Sequence, residues 1–81
     1  MKVNELIEFV GYVIEENTLP KNVSATLNKI LNILNADEDV NVKKNKCCNE
    51  LEELESNGNN IEAGIRVQIL DIASSIEQLD L

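Results

Sequence analysis

Val13-Ile14-Glu15-Glu16-Asn17-Thr18-Leu19-Pro20-Lys21-Asn22-Val23 decides the fold. One apolar run of helical spacing ends inside this stretch and a second begins. The break between them, Asn17 to Pro20, is short and polar. Proline is favoured in a first helical turn, where its missing N–H costs nothing. Thr18 is the expected N-cap of the second helix. Two helices joined by so short a link must turn back on each other, which predicts an antiparallel pair.

The pattern continues outward in both directions. Upstream, Val3, Leu6, Phe9, Val10, Val13 and Ile14 share one broad face, predicting a helix over about 3–16. Downstream, Leu19, Val23, Leu27, Ile30, Leu31 and Leu34 form a stripe over about 19–35. Asp37-Glu38-Asp39 then breaks the pattern, and an Asp there suits the cap of a third helix. That helix is expected over about 40–56, with a narrow stripe of Val40, Cys47, Leu51 and Leu54. Asn57-Gly58-Asn59-Asn60 is the clearest turn signal. Gly58 suits a left-handed helix end, and Asn59 or Asn60 the next cap. A fourth helix follows over about 61–79, on Ile61, Ile65, Ile69, Ile72, Ile76 and Leu79.

The reading is a single all-α domain over 1–81, an antiparallel up-and-down four-helix bundle. A faint repeat at a shift of 41 to 42 residues leaves two stacked HEAT-like hairpins as the alternative. Leu6, Val10, Val13, Leu27, Ile30, Leu34, Leu51, Leu54, Ile65, Ile69, Ile72 and Ile76 are the expected core.

Composition excludes several chemistries. The 81 residues carry 7 basic and 15 acidic side chains, no His, and a net charge of −8. Phosphates repel such a surface, so direct nucleic-acid binding is not expected. Without His the usual neutral-pH general base and the commonest transition-metal ligand are missing. Cys47 and Cys48 are adjacent, which suits neither ordinary disulfide geometry nor a zinc site. They read as one buried thiol and one flanking thiol in a reduced, cytoplasmic protein. No basic-then-apolar leader opens the chain, and no apolar run is long enough to cross a bilayer. Asp37, Asp39 and Asn41 mimic the start of a calcium loop. Val42 stands where its turn needs Gly, and Cys48 where it needs a bidentate Glu. No cofactor, metal or catalytic group is expected. Asn recurs throughout the chain, and no pattern accounts for it.

Three charge readings follow. Lys43, Lys44 and Lys46 near the start of the third helix, and Glu50, Glu52, Glu53 and Glu55 near its end, oppose its dipole. Lys46 and Glu50 are spaced to compensate as a helical pair. Arg66, the one Arg, is expected to pair with Glu62 one turn before it.

The surplus features point to binding. Ala63, Val67 and Leu70 form a second stripe nearly opposite the core stripe of the fourth helix. Tyr12 falls off the first helix's stripe and is suited to anchor a partner. The primary expectation is a non-enzymatic protein–protein interaction module, or a homo-oligomer, using Tyr12, Ala63, Val67 and Leu70. The alternative is an acidic regulator of a nucleic-acid machine, binding a basic partner through Glu50, Glu52, Glu53 and Glu55. An enzyme is the third reading.

These residues also carry a resemblance. Val13 to Val23 resembles the "vIeDtsVPrNIR" signature of a small archaeal family, uncharacterised protein family 0147. Leu34 to Val42 and Leu51 to Asn57 resemble its next two segments. Ile61 to Glu77 resembles its last helix, with Arg66 at the matching Arg. Ser24 and Lys43 replace family arginines, Leu70 replaces a typical Trp, and Asn59-Asn60-Ile61-Glu62 replaces a turn with two prolines. The resemblance implies an all-α four-helix bundle and no known activity.

Overall fold

A computed structural model describes residues 1–56 and 61–79. It contains four helices, α1 (Val3–Glu16), α2 (Lys21–Asn35), α3 (Val40–Ser56) and α4 (Ala63–Glu77), and no strand among the described residues. Each helix packs on its neighbours in sequence, and α4 closes the ring against α1. The diagonal pairs α1/α3 and α2/α4 do not approach each other. Stacked HEAT-like hairpins would bring such alternate helices together, so the up-and-down bundle is the architecture. The Met1 ammonium donates to the Gln78 carbonyl at 2.9 Å, tying the start of α1 to the end of α4. These two helices therefore run antiparallel.

The core is the set that helical spacing selects. Leu6, Val10 and Val13 from α1 meet Leu27, Ile30 and Leu34 from α2. Leu51 and Leu54 from α3 meet Ile65, Ile69, Ile72 and Ile76 from α4. Val23, Cys47 and Leu79 join them, and no polar side chain is buried among the described residues. Phe9 packs at the margin and is only partly buried.

Two helices are shorter than their apolar stripes. α2 begins at Lys21, not Leu19, and Pro20 rather than Thr18 holds the N-cap position. Proline's carbonyl accepts the first helical bond from Ser24 N–H at 3.0 Å, and its missing N–H needs no partner. α4 begins at Ala63, not Ile61, and ends at Glu77, not Leu79. Leu19, Ile61 and Leu79 all rest against the core from outside the helices. A flanking residue can bury without being helical, so the stripe overruns the element. The turn assigned to Gly58, Asn59 and Asn60 lies outside the described residues.

Asp39 caps α3 as its position suggests. Its carboxylate accepts the Asn41 N–H at 3.0 Å and its carbonyl the Lys43 N–H at 3.0 Å. The lysines after it serve neighbouring helices. Lys43 Nζ donates to Leu34 O at 2.9 Å, in the last turn of α2. Lys44 Nζ donates to Leu79 O at 3.3 Å, just past α4. In an antiparallel bundle the start of α3 adjoins the ends of α2 and α4. Charges placed against the dipole of α3 are therefore placed with the dipoles beside it.

The expected Lys46–Glu50 pair does not form. Lys46 Nζ instead meets Glu38 at 2.8 Å, and Glu50 meets Lys29 of α2 at 3.8 Å. Arg66 is exposed and has no ion-pair partner among the described residues, so the Arg66–Glu62 pair is also absent. Part of the asparagine excess now has a cause. Asn17, Asn28 and Asn35 each donate through Nδ2 to the carbonyl four residues earlier, at 2.9 Å. At the ends of α1 and α2, Asn17 and Asn35 thereby engage carbonyls of the last turn, where backbone donors run out.

Candidate functional site

Tyr12, Val67 and Leu70 are the most exposed large apolar side chains among the described residues, at 58%, 56% and 54%. Met1 and Val42 are the other two, and both are barely exposed by comparison. Ala63 is exposed as well. Helical spacing explains the set on α4. Ile65, Ile69, Ile72 and Ile76 turn inward, which leaves Ala63, Val67 and Leu70 on the outer crest.

Tyr12 reaches the same region from α1. The Met1–Gln78 contact fixes the register of the antiparallel pair, and at equal rise it sets Tyr12 level with Val67. The hand of the bundle gives the flank. α3 turns Lys46, Asn49 and Glu50 toward α2, and Cys48, Glu52 and Glu55 toward α4. α1 runs in the same direction as α3 on the opposite corner. Its matching flank, with Phe9 and Tyr12, turns toward α4. Tyr12 and Val67 thus lie on the α1/α4 side, whereas Leu70, at whole-turn spacing from Ala73 and Glu77, leans with Arg66 and Ala63 toward the α3 side of the crest.

The structure also divides the acidic candidate. Glu50 is half-buried on the α2 side and paired with Lys29. Glu52 and Glu55 line a groove against α4, while Glu53 is exposed beyond Glu50. The four carboxylates do not form one surface.

Two grooves between helices are lined by described residues. The larger, about 410 Å³ and open to solvent, lies between α2 and α3 and is lined by Lys29, Asn32, Ile33, Lys46, Asn49 and Glu50. Sequence reasoning missed it. The signal was there in matched spacing, 29-32-33 on one helix against 46-49-50 on the other. Its two lysines are already engaged by Glu50 and Glu38. The smaller groove, about 160 Å³, lies between α3 and α4 and holds Cys48, Leu51, Glu52, Glu55, Ala73 and Glu77.

Both thiols are free. Burial, with Cys48 and Glu50 beside it, pushes the Cys47 thiol up to about 11. Burial and the carboxylates of Glu77 and Glu52 also raise Cys48. A reactive cysteine needs the opposite, an electropositive setting that favours thiolate. Among the described residues no group of three His, Cys, Asp or Glu side chains is placed to hold a metal ion. No helix there is long and apolar enough to cross a membrane.

Residues 1–79 match the uncharacterised protein family UPF0147, and the chain belongs to that family. No curated protein and no solved structure matches it.

Proposed function

We propose that this member of UPF0147 is a non-enzymatic protein–protein interaction module of the cytoplasm. Its contact face is the outer crest of α4, Ala63, Val67 and Leu70, together with Tyr12 of α1. One observation carries the reading. The three most exposed large apolar side chains fall on two adjacent helices instead of scattering over the surface. Single exposed apolar residues need no explanation, but a contiguous group on a small domain marks a place where something docks. Aromatic anchors are enriched in such contacts. Covering Val67 and Leu70 completes a burial that the lone chain leaves half done, worth about 1–2 kcal/mol for each side chain.

The test is Val67→Asp with Leu70→Asp. The exposed positions predict a protein that folds normally, because neither side chain contributes to the core. Partner capture, or self-association in sedimentation at rising concentration, is expected to fall at least about tenfold, since an aspartate buried against an apolar contact is costly. If both are unchanged, this face is not the contact surface.

A further inference from the structure

The edge of α4 that borders α3 carries a pattern that the bundle itself does not use. Ala63, Arg66, Leu70, Ala73 and Glu77 recur at steps of three and four, the spacing of a coiled-coil seam. Ala73 and Glu77 line the smaller groove, so whole-turn spacing sets Arg66 and Leu70 along the same edge. Leu70 is more than half exposed. Arg66 is exposed too, and it has no ion-pair partner among the described residues.

The groove is the complement of that edge. It holds about 160 Å³ over Cys48, Leu51 and Ala73, with Glu52 and Glu55 on the α3 wall and Glu77 on the α4 wall. Burial, then Glu77 and Glu52, raise the Cys48 thiol, so carboxylates from both walls converge on one point. None of the three glutamates has an ion pair with a described residue. Lys44 is near, but its Nζ donates to Leu79 O at 3.3 Å. The edge therefore offers an unmatched leucine and an unmatched cation. One to two turns further along lies an apolar notch walled by unmatched carboxylates.

We propose that this edge is a self-complementary interface, on which a second copy of the chain packs its α4 antiparallel to the first about a two-fold axis. Leu70 of each copy enters the groove over Ala73 of the other, a large side chain against a small one. Arg66 lies four residues before Leu70, and Glu77 four residues after Ala73. The same register therefore sets Arg66 of each copy opposite Glu77 of the other, at the point where Glu52 also converges. The two-fold axis makes every contact twice. An unrelated partner would have to reproduce this spacing, whereas a second copy already has it. Glu55 gains no counterpart in the pairing. The net −8 of each chain opposes association at long range, but physiological salt screens charges beyond about 8 Å, and at the seam unlike charges meet. The inference rests on the docking reading above for Leu70 and names what covers that side of the crest.

The experiment is sedimentation equilibrium of the full chain at rising concentration, in about 0.15 M salt. A monomer–dimer equilibrium is expected. Arg66→Glu and Glu77→Arg are each expected to weaken the dimer at least about tenfold. Glu77→Arg does so although it lowers the net negative charge. Both changes in one chain exchange the charges and keep them opposed, so dimerisation should return to within about threefold of wild type. Leu70→Ser, which adds no charge, is expected to weaken the dimer as well. Lys21→Glu is the control: it alters net charge as Arg66→Glu does, at an exposed site on α2, and should change dimerisation less than about threefold. All the substituted side chains are exposed, so each variant should fold, which circular dichroism checks. A dimer unaffected by Arg66→Glu, Glu77→Arg or Leu70→Ser, or not restored by the charge exchange, would overturn the inference. So would equal weakening by Lys21→Glu, which would show net charge alone at work. A chain that stays monomeric at every concentration would overturn it too. The docking reading would then stand or fall on partner capture with Val67→Asp and Leu70→Asp.

Discussion

Lys43→Met separates two physical accounts that differ in sign. Methionine keeps the apolar length of the side chain and deletes only the charge. Considered on α3 alone, Lys43 sits in the positive first turns of its own helix, and removing it should stabilise the protein by about 0.3–1 kcal/mol. The structure predicts the reverse. Lys43 Nζ donates to Leu34 O at 2.9 Å from a half-buried position, in the last turn of α2. A hydrogen bond involving a charged group contributes about 1.5–3 kcal/mol, and a cation at a helix end adds up to about 1–2 in partly buried settings. Half-exposure and the opposing dipole of α3 reduce that sum. A net loss of about 1–2 kcal/mol remains. For a domain of this size it corresponds to a melting temperature lower by about 5–10 °C.

The assay is urea unfolding of wild type and variant, followed by circular dichroism, with Lys29→Met as the control. Lys29 is an exposed lysine whose partner Glu50 is 3.8 Å away, so its removal should change stability by less than about 0.5 kcal/mol. If Lys43→Met is as stable as wild type or more so, inter-helix capping by α3 is refuted.

Three further perturbations follow from the same structure. Ile72 is fully buried, and Ile72→Ala should cost about 2–4 kcal/mol in urea melts, a large share of the roughly 4–12 expected for such a chain. Gly11 lies in α1 with nothing within 4 Å of the place a Cβ would occupy, so Gly11→Ala should raise stability by about 0.5–1 kcal/mol. Cys47 ionises ordinarily at 9.0 and in the folded chain at about 11. The unfolded state therefore loses its thiol proton first. The stability this thiol confers is full below about pH 9 and disappears as pH rises toward 11, up to about 3 kcal/mol. Cys47→Ala should flatten that part of the alkaline dependence in unfolding titrations.

The core was legible because burial in a helix follows its period. Leu6, Val10 and Val13, or Ile65, Ile69 and Ile72, recur at steps of three and four, and each is buried. Helix ends were less legible for the same reason. Leu19 and Ile61 continue the stripe although the backbone there is not helical. The lysines at the start of α3 were misread because their partners, Leu34 O and Leu79 O, belong to other helices and carry no local signal. The second stripe of α4 was visible as spacing, but whether another helix wraps it depends on how the ring closes. Tyr12 beside Val67 depends likewise on the register of α1 against α4, which no local pattern encodes.

The apolar crest of α4 is not something the bundle requires. α2 fills the same structural role, and its exposed positions are Lys21, Asn22, Ala25, Asn28, Lys29, Asn32 and Asn35. Among them only Ala25 is apolar, and it is small. A helix in this ring can therefore present a polar exterior and still supply four fully inward residues, as α2 does with Val23, Leu27, Ile30 and Leu34. α4 supplies the same inward set and yet keeps Val67 and Leu70 more than half exposed. Exposure on that scale forfeits most of what burial of a valine or leucine contributes to folding. The isolated chain gains little from these two side chains, and a polar residue at either position would serve its fold as well. In the proposed docking, their contribution comes when another surface covers them. That is why substitution there separates folding from binding, while substitution of Ile72 on the opposite face of the same helix cannot.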